Sequence, residues 1–364
     1  MLKKVCTVKG DSVDIALAKR RIEYLLFVVV TFIPFVFVPI GVYNDFFYAP
    51  KVNALIIMAF LLLLIALQNR KAINNLIQYD AINITLLIYF MLLIISLFFA
   101  LDLGMAISGR AYREEGLSTV MIYFLLFLAA RTLKISSHKF NIGIEISATI
   151  LAIYGIMQFY GLDPFPRDFI RTNWQAAFAT FGNPNFFGTY LVLVIPILLH
   201  GFLKKRKNTT IFSYSIIIYA LLCTNTRGAW LGAIVAIIAY VFLPRLFLSN
   251  YKQERRRIAF ILLLTFVIIG MFNNLNNNMF ANRSKSIVLD AVKIIKNERA
   301  ESAGSNRFFI WKKVLILIKD RPLTGYGLEN LGEPFVARFE QEMIDLFGTT
   351  YHVETVVLIT RVKA

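Results

Sequence analysis

Leu222-Cys-Thr-Asn-Thr-Arg-Gly-Ala-Trp230 is the stretch whose reading decides the fold. It joins two uncharged apolar runs, 211–223 and 228–244, each of which suits a membrane interior. A polar turn between two such runs is what a helical hairpin leaves at a membrane surface. An arginine there is costly unless it has water or a partner. The expectation is that Arg227 faces an anionic substrate on the outer side of a membrane.

Composition supports a membrane setting. The 364 residues are 58% hydrophobic and 17% charged, with a mean hydropathy of +0.64. A soluble domain of this size has too little interior to hide that much apolar surface. The 33 Phe and 16 Tyr fit lipid-facing and interfacial positions. A formal charge of +17 would point to nucleic acid in a soluble protein, but here the charge is distributed between membrane runs, and no nucleic acid is implied. Cys6 and Cys223 give neither a disulfide framework nor a metal site, and three histidines (His138, His200, His352) exclude a His-rich metal centre. No cofactor is expected.

Outward from the opening stretch, nine apolar runs are expected to be spanning helices: 24–43, 52–67, 81–101, 116–130, 141–160, 185–203, 211–223, 228–244 and 258–272. The first has no small-residue cleavage pattern after it and reads as a span, not a removable signal. The N-terminus and every second loop carry 20 Lys/Arg, against 6 in the alternate short loops. By the positive-inside rule the N-terminus is cytoplasmic, and the loops holding Arg110 and Arg113, Arg167 and Arg171, and Arg227 are outside. The fold class is therefore all-α, a polytopic bundle (1–272) followed by a long extracytoplasmic region (273–364). Two short amphipathic helices are expected in that region, at 286–297 and 308–319, lying on the outer membrane surface. Residues 273–278 and 298–305 read as flexible connectors.

Four polar motifs fall on the outer side in this frame. They are Tyr112-Arg-Glu-Glu-Gly116; Gly161-Leu-Asp-Pro164 leading to Phe181-Gly-Asn-Pro-Asn-Phe-Phe-Gly188; Thr224-Asn-Thr-Arg-Gly-Ala-Trp230; and Ser305-Asn-Arg-Phe-Phe-Ile-Trp311 with Asp320-Arg-Pro-Leu-Thr-Gly-Tyr-Gly-Leu-Glu-Asn330. In this order, over roughly residues 80–335, they resemble the O-antigen ligase/polymerase family of bacterial envelope glycosyltransferases. The resemblance implies an inverting, metal-independent transferase in the bacterial cytoplasmic membrane. Its donor would be a glycan on an undecaprenyl-(di)phosphate lipid. Its acceptor would be a hydroxyl of a glycan, a lipid or a protein, and ligase, polymerase and protein O-oligosaccharyltransferase remain equally open. Fixed guanidinium groups suit this chemistry, because they stabilise charge developing on a departing diphosphate.

On this resemblance Arg227 and Arg307 are the expected diphosphate ligands. Gly228 would allow close approach of backbone or lipid. Arg113, Arg171, Asn183 and Asn185 are candidate substrate-binding residues, and for the two asparagines simple helix capping is the competing reading. His352 is the candidate for activating the acceptor. The family pattern is His-Asn with a Leu three residues after the Asn, whereas this chain has His352-Val-Glu-Thr-Val356. Family members continue through further spanning helices, so the sequence is expected to be truncated at its C-terminus. Two other readings stay open: a transporter or flippase of lipid-linked sugars, and an inactive truncated relative.

Overall fold

The computed structural model describes residues 2–38, 46–70, 80–110, 113–132, 137–165, 176–203, 207–247, 255–296, 306–347, 351–353 and 359–361. It is a polytopic helix bundle. Among the described residues there are thirteen α-helices: α1 (Leu2–Phe32), α2 (Tyr48–Gln68), α3 (Ala81–Leu97), α4 (Leu103–Ser108), α5 (Leu117–Thr132), α6 (Ser137–Phe159), α7 (Pro184–Leu203), α8 (Thr209–Cys223), α9 (Arg227–Phe247), α10 (Arg255–Leu275), α11 (Met279–Lys296), α12 (Arg307–Asp320) and α13 (Gly332–Phe347). One antiparallel pair of three-residue strands, β1 (Tyr351–Val353) and β2 (Ile359–Arg361), follows. Among the described residues four helices are long and apolar enough to cross a membrane: Tyr48–Gln68, His138–Phe159, Pro184–Leu203 and Arg255–Leu275. Ala81–Leu97, Leu117–Arg131, Thr209–Cys223 and Arg227–Phe242 are shorter apolar helices.

The chain divides into two compact units. One comprises Leu25–Ala54 and Ser136–Ser286; the other comprises Met1–Tyr24, Leu55–Ile135 and Ile287–Ala364. The core of the first is built by α6 to α10. Small side chains (Ala148, Ala152, Ala220, Ala229, Ala233) are buried among Leu191, Ile195, Leu198, Ile217 and Phe272. Small residues let helix backbones approach closely, which matters in lipid because the hydrophobic effect does not drive helices together there. Two pairs of polar groups meet within this core. Tyr214 and Thr265 hydroxyls lie 2.8 Å apart, and His200 Nδ1 lies 3.1 Å from the Tyr240 hydroxyl. The outer face of α10 presents Leu263, Phe266 and Met271, as a lipid-facing surface should.

In the other unit α3 buries no residue, and Phe90 stacks on Phe124 of α5 with ring centroids 5.4 Å apart. Its second feature is the α12–α13 hairpin, closed over Phe309, Ile310, Leu317, Phe335, Phe339 and Met343. Lys313 lies over the rings of Phe309 and Phe339 and bonds Glu342 at 2.6 Å.

Three sequence expectations change. Within the run 24–43 the first helix ends at Phe32. Pro34 has no N–H to donate and disfavours helical backbone before it, so the chain makes a single 3₁₀ turn (Ile33–Phe35) and leaves extended at Val36. Residues 273–278 are no loose connector. Asn273 Nδ2 donates to Asn278 Oδ1 (2.7 Å), Asn273 Oδ1 accepts the N–H of Ala281 (3.0 Å), and Asn277 and Asn278 take left-handed backbone. The last two residues of the turn suit that conformation because asparagine tolerates it. The tail carries α13 in addition to the two amphipathic helices expected. The connector expected at 298–305 lies outside the described residues.

Candidate functional site

In the unit built on α6–α10, one end of the bundle gathers the polar motifs. α8 stops after Cys223, and Thr224 Oγ1 donates back to the carbonyl of Leu221 (2.7 Å). Asn225 turns the chain in left-handed backbone, and Trp230 Nε1 donates to the same Leu221 carbonyl (3.0 Å). Thr224 and Thr226 are buried, with their hydroxyls 2.8 Å apart. α9 therefore starts at Arg227 with a fixed orientation. The start of a helix carries partial positive charge, and the first turn of α9 contains no acidic residue to offset it.

The turn 224–226 also holds α11. Arg227 Nη1 donates to Ser286 Oγ at 3.0 Å, and that hydroxyl donates to the carbonyl of Arg283 at 2.6 Å. One turn along α9, the Trp230 ring meets Phe280 at 4.9 Å. Two side chains of the opening motif thus grip the first turns of α11. Arg283 is brought into range of Arg227. Partial desolvation, and then the Arg227 charge, pull its guanidinium below the usual arginine range. Asn276, Asn277, Asn282, Arg283 and Ser286, with Leu275 and Met279, line an open cavity of ≈ 580 Å³. That is within the size range of small-ligand sites. None of its lining residues is acidic.

The neighbouring elements are also pinned. Asn183 accepts the backbone N–H of Asn185 (2.8 Å) and the Asn185 side-chain amide (3.2 Å), capping α7. Gly188, one turn on, lies against α9: a Cβ there would sit 2.7 Å from Ala229 Cβ and 2.9 Å from Thr226 Oγ1. Gly188 faces the α7–α9 seam, whereas a Cβ at Gly228 would meet nothing within 4 Å. Lys51 Nζ donates to the carbonyls of Val36 (2.7 Å), Phe47 (3.2 Å) and Thr180 (2.5 Å), anchoring the segment that leads into α7. Tyr160 and Tyr219 hydroxyls are hydrogen-bonded, and Asn276 Nδ2 donates to Tyr160 at 3.2 Å.

Toward the start of α6 Glu145 accepts from Lys207 (3.4 Å) and Ser213 (3.3 Å). Arg257 donates to the carbonyl of Phe202 at 2.6 Å.

Arg113, Arg307 and His352 belong to the other unit. Arg113 is buried, in a turn where its N–H bonds the carbonyl of Arg110 at 3.1 Å. Arg307 is the first residue of α12, behind Asn306 in left-handed backbone; its Nε is buried with no hydrogen-bond partner among the described residues. The Gly325–Asn330 segment docks by its last residue. Asn330 Oδ1 accepts the N–H of Asp102 (2.7 Å) and its amide donates to the Asp102 carbonyl (3.1 Å). His352 lies on β1 opposite Thr360, and its side chain lies outside the described residues. Arg171 lies outside them altogether.

Sequence reasoning overlooked Arg283 and Ser286. Their signal was the spacing Met279, Asn282, Arg283, Ser286, which puts all four on one helical face.

Residues 211–358 match the O-antigen ligase family model, which takes in α8 through β1. An uncharacterized protein of Haemophilus influenzae is 27% identical over 250 residues, 65% of this chain and 57% of that protein. A ComP-specific O-oligosaccharyltransferase of Acinetobacter baylyi is 26% identical over 156 residues, 42% of this chain and 26% of that protein. A general O-oligosaccharyltransferase of the same organism is 23% identical over 253 residues, 69% of this chain and 40% of that protein. The chain thus spans less than two thirds of each of these relatives. No solved structure matches it.

Proposed function

We propose that this chain, O-antigen ligase-like over residues 211–358, transfers a glycan from an undecaprenyl-(di)phosphate-linked donor to an acceptor hydroxyl at the outer face of the cytoplasmic membrane. The acceptor oxygen attacks the anomeric carbon as the bond from that carbon to the phosphate oxygen breaks. Configuration inverts, and the acceptor proton passes to a base, the role proposed for His352. Arg227 stabilises the charge that grows on the departing diphosphate, and Arg307 is proposed as the second guanidinium for it. Arg113, Arg171, Asn183 and Asn185 remain proposed substrate contacts. No metal enters this scheme.

The observation that carries the reading is the setting of Arg227. It stands at a helix start, beside a second arginine and at the edge of a cavity without acidic lining. Such a place favours an anion. The two Acinetobacter relatives named O-oligosaccharyltransferases support glycan transfer as the reaction class. The test is transfer of a radiolabelled lipid-linked glycan by the chain in membranes, as wild type and as Arg227→Ala. New glycosidic product that falls about 10²–10³-fold in the variant supports the enzyme. Movement of the lipid across the membrane with no new glycosidic bond would instead make the chain a transporter of lipid-linked sugar.

A further inference from the structure

We propose that Asn330 is a positioning residue: through Asp102 and α4 it sets the turn that carries Arg113, so that the last polar motif of the chain governs the first.

The contact it makes is specific. Asn330 is buried, and its side-chain amide closes on one residue from two sides. Oδ1 accepts the N–H of Asp102 (2.7 Å), and Nδ2 donates to the carbonyl of the same residue (3.1 Å). Asp102 is thereby held as the opposite residue of a paired strand would hold it. Nδ2 also donates to the carbonyl of Leu328 (2.7 Å), which fixes the direction of the amide. Backbone contact reinforces this clasp. A Cβ on Gly327 would lie 2.6 Å from Ala100 Cβ, and Gly327 has a φ of 89°, so glycine alone lets the segment come this close.

Asp102 passes the constraint on. Its Oδ1 accepts the N–H of Met105 (2.9 Å), and its carbonyl accepts the N–H of Ala106 (3.0 Å). Fixing Asp102 therefore fixes the first turn of α4. A helix of six residues is too short to hold itself, so the grip on its start sets its direction. The other end of α4 is tied to the start of α5. A Cβ on Gly116 would collide with the backbone of Ile107 and Gly109, and Ser118 Oγ donates to the carbonyl of Ile107 (2.9 Å). Arg113 is buried within the turn that these contacts close, with its N–H on the carbonyl of Arg110 (3.1 Å). Every link lies in one compact unit.

The use of this positioning rests on the transfer reading, in which Arg113 is a proposed substrate contact; the chain of contacts does not. The full chain in nanodiscs is prepared as wild type, Asn330→Asp, Arg113→Gln and the double variant. Asn330→Asp keeps the shape but removes both donors, and sets a carboxylate against the carbonyls of Asp102 and Leu328. Backbone hydrogen exchange is expected to quicken by about 10-fold at residues 102–106 and also at Arg113. In glycan transfer, the KM for the lipid-linked donor is expected to rise by about 10-fold with kcat within a few-fold, because a binding contact is displaced and the reacting groups are not. The double variant is expected to match Arg113→Gln, since Asn330 acts through that residue. Gly327→Ala opens the clasp without touching the amide and should reproduce the pattern of Asn330→Asp. Faster exchange at 102–106 with none at Arg113 overturns the transmission. Additive KM losses in the double variant overturn action through Arg113. Exchange that quickens throughout the chain makes Asn330 an ordinary fold residue. Transmission to Arg113 in a chain that transfers no glycan keeps the positioning and removes the enzyme. Transfer with an unaltered KM in both clasp variants keeps the enzyme and removes the positioning.

Discussion

The end of α5 and the start of α9 each carry one arginine, and the two are treated in opposite ways. Arg131 stands in the last turn of α5, where carbonyl groups give the helix a negative end, and it pairs with the carboxylate of Asp80. Arg227 stands at the first residue of α9, the positive end, and its charged neighbour is Arg283. The first cation is satisfied by the fold. The second is placed against the local field, and it stays there because Ser286, Trp230 and the turn 224–226 hold it. Arg131 sits at a negative helix end against a carboxylate, whereas Arg227 sits at a positive helix end against a hydroxyl.

Removing each arginine is the strongest way to break this comparison. Arg227→Ala should lower glycan transfer by about 10²–10³-fold. Arg131→Ala should leave the transfer rate per folded molecule within a few-fold of wild type, because a solvent-exposed ion pair contributes little. Equal losses in the two variants would end the distinction. A smaller effect comes from the seam that orients α9. Gly188→Val adds atoms where even a Cβ meets Ala229 at 2.7 Å. The expected cost is about 1–3 kcal/mol in denaturant unfolding in detergent, since an overpacked seam must shift. An unfolding midpoint equal to wild type would mean that α9 moves freely there. Next comes the cap that α10 lends to α11. Asn273→Ala removes the acceptor of the Ala281 N–H and the bond to Asn278, which should destabilise by about 1 kcal/mol. Hydrogen exchange at the start of α11 would rise if the cap matters and stay unchanged if it does not.

The smallest expected effect belongs to the Arg131 end. The backbone N–H of Asn83 lowers the Asp80 carboxyl below its ordinary value of 3.8; desolvation opposes this, and Arg131 adds to the lowering. A carboxylate with a lowered folded pKa adds stability that is complete above the unfolded value. That stability is lost as pH falls through the lower folded one. Asp80→Asn should therefore be less stable than wild type near neutral pH, and the gap should close below pH 3.8. A gap that is constant across this range would show that the charge does not contribute.

The bundle was legible in the sequence because its signals are local. Long uncharged runs and the bias of Lys and Arg between loops can be read without knowing any contact. The helix break at Pro34 was equally local, but the run was judged by its hydropathy and not by its missing N–H. α13 also left a visible trace: Phe335, Phe339 and Met343 recur every fourth residue and pack on Phe309 and Ile310. The order of the 273–278 segment was hidden. Five asparagines and a leucine look like a linker until one knows that Asn273 and Asn278 bond each other. For the site, Arg227 was conspicuous as a lone cation between apolar runs. Arg283 was not, because Lys and Arg are common in amphipathic surface helices, and only its packing beside Arg227 sets it apart.

The hold of Arg227 on Ser286 has a consequence in time. The two residues are 59 positions apart, and α9 and α10 lie between them. On a ribosome the turn carrying Arg227 and Trp230 is complete long before Phe280, Arg283 and Ser286 exist. Only when α10 has been inserted and the chain has reversed at Asn276 to Asn278 can α11 fold back onto that turn. The site therefore matures last, after the helices that carry it. Nascent chains arrested before Met279 would have a finished α6–α9 core and an unfinished site.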